Sequence, residues 1–117
     1  MAINFDGVNS WLDYSDKIQK LADEVKRFIN NFRSQLSQKE RDMLKDYEER
    51  LRVDARTIAT IVANDLLTRL QPQLDALKAG IEKADGFLQS FNTVKDAILA
   101  ITEVFTALTN VLDLLNS

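Results

Sequence analysis

The chain of 117 residues has room for one domain, taken as 1–117, and its 45% apolar and 28% charged residues are ordinary for a globular protein. It holds neither Cys nor His, which excludes disulfides, thiolate nucleophiles, zinc ligation through sulfur or imidazole, and the commonest general base. A net charge of −3 gives no general reason to seek nucleic acid, and three Gly with one Pro leave few places for the chain to reverse.

The stretch from Met1 to Trp11 carries Asp6, no basic residue and no apolar run, so it is not a Sec signal peptide. A cytoplasmic location is the expectation, with export by a non-Sec route left open. Charge is unevenly spread. Between Lys26 and Arg56 there are nine basic residues against six acidic ones, whereas three acids and no base follow from Asp96 onward.

Ser10-Trp11-Leu12-Asp13 has the spacing of a capping box, in which the Ser hydroxyl and the acid three residues on satisfy free backbone N–H groups. From there Trp11, Tyr14, Ile18, Leu21, Val25, Phe28 and Phe32 alternate spacings of three and four, one narrow apolar seam. Asp13–Lys17, Asp16–Lys20 and Asp23–Arg27 sit acid before base at four residues, the order that suits a solvated face. A helix over 10–36 is predicted.

Ser37-Gln38-Lys39-Glu40 is a second box and opens a helix predicted over 38–70. Its seam, Leu44, Tyr47, Leu51, Ala55, Ile58, Val62 and Leu66, repeats every eleven residues and so tracks a nearly straight helix. Ala55, Ala59 and Ala63 form a small-residue stripe beside it. Asp46–Arg50, Glu48–Arg52 and Asp65–Arg69 read as a charged outer face.

Pro72 suits the first turn of a third helix after a reversal. The apolar phase then holds from Leu77 through Phe87, Phe91, Val94, Ile98, Ile101, Phe105, Leu108 and Leu112 to Leu115. A single helix over 72–115 is therefore favoured. Asp85-Gly86 and the third capping box at Thr93–Asp96 mark a break near Gly86–Thr93 as the alternative, giving four helices. Ala97, Val104 and Val111 widen the stripe to three positions per heptad, which suits a helix with two neighbours. Glu103 and Asp113 make a buried helix a better reading than a membrane span.

The remaining constellations have plainer readings than sites. Asp42, Asp46 and Glu49 share a helical face but lack the His that bundle metal sites use, so no metal and no cofactor is expected. The basic residues from Lys26 to Arg56 alternate with acids and lack interleaved aromatics off the seam, which disfavours nucleic acid. Trp11 and Tyr14 lie on the first seam and read as core before partner anchors. Ala76, Gly80 and Ala84 have the spacing of close helix packing.

The expectation is an all-α antiparallel bundle of three long helices, or four with that break, with coiled-coil-like packing and no enzymatic activity. Its function is expected to be non-catalytic assembly: an adaptor, chaperone, inhibitor or structural subunit acting through apolar seams. The alternative is a membrane- or lipid-surface protein using the C-terminal helix. A third helix of about 66 Å would outrun the first by some 25 Å and leave apolar surface uncovered. On that ground the candidate interaction surface is Phe87, Phe91, Val94, Ile98, Ile101, Phe105, Leu108, Leu112 and Leu115. A protein partner or a homo-oligomer is expected to cover it.

Overall fold

The computed structural model describes residues 3–61, 65–89 and 94–115. These residues are 86% helical, with no strand among them. Helix α1 spans Trp11–Asn31, a 3-10 turn follows at Arg33–Gln35, and α2 spans Gln38–Ala59; the short α3, Asp65–Arg69, leads into α4, Gln71–Leu88, and α5, Val94–Leu115. The architecture is all-α and bundle-like, with four long helices.

Both N-terminal caps form where the sequence places them, with one difference. At α2 the box is reciprocal: the Ser37 hydroxyl accepts from the Glu40 N–H, and the Glu40 carboxylate accepts from the Ser37 N–H. At α1 the Ser10 hydroxyl accepts from the Asp13 N–H, but the Asp13 carboxylate reaches one residue further, to the Asn9 N–H at 3.1 Å. That bond, with the Ser10 hydroxyl second, holds the Asp13 carboxyl below its ordinary pKa. Thr93 lies outside the described residues.

The two longest predicted helices are shorter in the structure. The helix expected over 38–70 stops at Ala59, because Thr57, Ile58, Thr60 and Ile61 crowd β-branched side chains into one turn. The Thr60 hydroxyl and backbone N–H both turn back onto the Thr57 carbonyl and close the end. Helix 72–115 is two helices: α4 runs past Gly86 to Leu88, and α5 begins at Val94. The alternative with four long helices therefore holds. A straight 66 Å helix would not fit a molecule whose longest dimension is 46 Å.

The chain forms two antiparallel hairpins, α1–α2 and α4–α5, laid face to face so that α1 meets α4 and α2 meets α5. Tyr14 lies near Asp75, and Glu24 bonds Gln89, so α1 and α4 run in the same direction. The core takes Trp11, Ile18, Leu21, Val25 and Phe28 from α1, Leu44, Leu51 and Ile58 from α2, Leu74, Leu77 and Ile81 from α4, and Ile101, Val104 and Leu108 from α5. Each fully buried side chain of this size contributes about 1.5–3 kcal/mol. Small residues set the closest approaches. The Ser15 hydroxyl donates to the Ala55 carbonyl at 2.7 Å between α1 and α2, and a Cβ at Gly80 would sit 3.4 Å from Val104 Cγ2.

The segment ahead of α1, which lacks an apolar run, also packs. Ile3 and Phe5 are buried. The Ile3 N–H donates to Asp85 Oδ2 at 2.8 Å, and the Phe5 ring lies 6.3 Å from that of Tyr14. Gly7, with φ of 76°, provides the turn that returns the chain to α1.

Candidate functional site

The candidate surface named from the sequence is mostly interior. Val94, Ile101, Phe105 and Leu108 are buried, Phe87, Ile98, Leu112 and Leu115 are half-buried against the core, and Phe91 lies outside the described residues. Packed against each other as an antiparallel pair, α4 and α5 cover each other's stripes. Among the described residues, the exposed large apolar ones, Leu12, Val53, Leu99 and Leu114, belong to three different helices. Trp11 and Tyr14 are core, and burial, with Asp75 second, raises the Tyr14 hydroxyl's pKa.

One member of the stripe still reaches a surface feature. Phe105 on α5 closes the floor of a cleft of about 320 Å³ between α2 and α5. Tyr47 meets its ring edge-on, with centroids 5.3 Å apart, and the Arg50 guanidinium stacks over it at 4.1 Å. Thr102, Thr106, Thr109 and Asn110 form the α5 wall. Thr102 and Thr106 donate their hydroxyls to the Ile98 and Thr102 carbonyls of their own helix, which leaves this wall less polar than its composition suggests.

Arg50 also borders a second depression of about 350 Å³ on α2, lined by Asp46, Glu49, Val53 and Asp54. Val53 is 51% exposed there. Among the described residues no cation lies within ion-pair distance of Asp46, Glu49 or Asp54. Burial raises the Asp54 carboxyl's pKa, and the Arg50 charge only partly opposes it. The surface thus combines an aromatic floor, a stacked Arg, an exposed Val and three carboxylates against the single Arg50 charge.

Among the described residues no group of three carboxylates converges as a metal would require. Asp42 instead accepts from Gln38 at 2.8 Å. The buried polar groups serve the fold. Asp85 takes the Ile3 N–H and the Gln89 amide, Gln89 bonds Glu24, and Glu24 pairs with Arg27 at 2.9 Å.

Compared with protein-family models, curated proteins and solved structures, the chain matches none of them.

Sequence reasoning placed Tyr47 and Phe105 on two separate seams and had no means of joining them, because the pairing of α2 with α5 depends on how the hairpins stack. The available signal was Arg50, three residues beyond Tyr47 on one helical face.

Proposed function

We propose that this chain is a non-catalytic interaction protein whose α2–α5 surface takes an amphipathic helix, carrying basic residues, from a protein partner. The observation that carries the reading is the Arg50–Phe105–Tyr47 stack beside three carboxylates that share a depression with Arg50 as its one cation. Arg and aromatic side chains concentrate binding energy at interfaces, and a helix laid in a groove between helices is a recurring recognition mode. Basic residues on the partner would meet Asp46, Glu49 and Asp54, so charge selects the occupant as well as shape.

A photo-crosslinking residue at position 53, used in the native source with wild-type chain and with Asp46→Lys/Glu49→Lys, tests this directly. Crosslinks to a partner through a basic helical segment, lost in Asp46→Lys/Glu49→Lys while circular dichroism is unchanged, are the expected result. Crosslinks only to a second copy, or the same crosslinks in both chains, would overturn it.

A second reading has its own observation. Val94–Leu115 is long and apolar enough to cross a membrane by length and composition. A lipid-surface role would have the hairpins separate and lay α5 on the bilayer. In the bundle, α5 packs on α4 with Glu103 paired to Lys83 at 3.1 Å, which supports the protein-partner reading over this one. Co-sedimentation with neutral phosphatidylcholine vesicles separates the two, because the interaction protein stays in the supernatant.

A further inference from the structure

On the opposite flank of α2 the α1–α2 hairpin frames an open cavity of about 380 Å³, and four cations line it: Lys26 from α1, Arg33 from the connecting turn, and Arg41 and Lys45 from α2. The cluster joins residues nineteen positions apart, which is why it is invisible as a run in the sequence.

Two acids share the lining against the four cations. Glu48 is paired with Arg52 at 2.8 Å, whereas Asp42 takes the neutral Gln38 amide and keeps its charge, which leaves the lining net positive. Among the described residues no carboxylate lies within ion-pair distance of Lys26, Arg33 or Lys45. Arg41 is pinned. It donates to the Arg33 and Leu36 carbonyls at 3.0 and 2.8 Å and to the Gln38 side-chain oxygen at 2.8 Å. The guanidinium is held in place before any ligand arrives, which lowers the ordering cost of binding. Four like charges around one concavity repel one another, and an oxyanion of two or more charges relieves that repulsion.

We infer that this cavity is a binding site for a phosphate group of high charge density, a phosphomonoester or diphosphate. Such a group carries about −1.5 to −2 charges at pH 7 and offers several acceptor oxygens to Lys and Arg donors. The site is separate from the α2–α5 surface, and neither proposal depends on the other.

The group's source is either a small soluble phosphate or a lipid headgroup, and the test has an arm for each. Calorimetric titration at low ionic strength with pyrophosphate probes the first; co-sedimentation with phosphatidylcholine vesicles, with and without phosphatidic acid, probes the second. Saturable binding in either arm is expected, weakened at least about tenfold in Lys26→Ala/Lys45→Ala and further weakened by salt. Both substituted side chains are exposed, so the variant's melting temperature should match wild type. Lys45→Arg with Lys26→Arg should retain binding. Failure of both arms with wild-type chain, or equal binding by the double-alanine variant, would overturn the inference.

Discussion

The two hairpins are held by different means. Between α1 and α2 the polar ties are specific: the Ser15 hydroxyl on the Ala55 carbonyl, and Arg52 reaching across to Gln19 at 2.9 Å and Asp23 at 2.9 Å while holding Glu48 on its own helix. Burial opposes the Arg52 cation, but its bonds to Glu48 and Asp23 outweigh that and raise its pKa. Between α4 and α5 the one cross-helix ion pair among the described residues is Lys83–Glu103, with both side chains about half exposed. There the register comes from packing, with Gly80 against Val104 and Ala84, Ala97 and Ala100 fully buried or nearly so. One hairpin is specified by directional bonds and the other by close fit, and mutations should discriminate between them.

The largest effects belong to the shared core. Ile101→Ala or Phe28→Ala should destabilise by about 2–5 kcal/mol in urea denaturation, since both side chains are almost fully buried. If either behaves as a surface site, the two hairpins do not meet as described.

The sharpest contrast comes next. Arg52→Ala should cost about 1–2 kcal/mol, because it removes bonds to two acids and an amide, whereas Lys83→Ala should cost less than about 0.5 kcal/mol. Equal losses would erase the distinction. Glu48 reads from the sequence as a solvated partner of Arg52, but its side chain is only 15% exposed and belongs to the cross-helix tie, so Glu48→Ala should be felt as well.

A smaller effect has the opposite sign. Gly86 is helical and exposed, and a Cβ there meets nothing within 4 Å, so Gly86→Ala should stabilise by about 0.5–1 kcal/mol. A loss would mean that the α4 end needs glycine.

The smallest is a pH effect on the candidate surface. The raised Asp54 pKa means that the folded chain binds its proton more tightly than the unfolded one, whose reference value is 3.8. The resulting penalty is absent below that value and complete above the folded pKa. Asp54→Asn should therefore raise the melting temperature slightly at pH 7 and not at pH 3. Asp13 has the opposite sign: its contribution is full above 3.8 and lost as pH falls through its lowered folded value.

Much of this fold was legible because helix starts and seams are local signals. Ser10 and Ser37 cap as their spacing says, and the first seam is buried from Trp11 to Phe28. The end of α2 was legible too, had the β-branched crowding from Thr57 to Ile61 been weighed against the continuing apolar phase. Phase continuity from Leu77 to Leu115 misled for a physical reason: two helices packed in a hairpin can keep one heptad phase through their connection. The surfaces were the least legible. Both the Tyr47–Phe105 stack and the Lys26–Lys45 cavity require tertiary placement, and neither leaves a contiguous motif.

Covering of the α5 stripe by the chain's own helices is the claim on which the rest turns, and sedimentation equilibrium over a wide concentration range tests it most directly. A single species of 13.3 kDa at every concentration is the predicted result. A mass that climbs toward a dimer, and that Ile98→Glu returns to a folded monomer, would contradict it, because the apolar stripe would then be covered by a second copy.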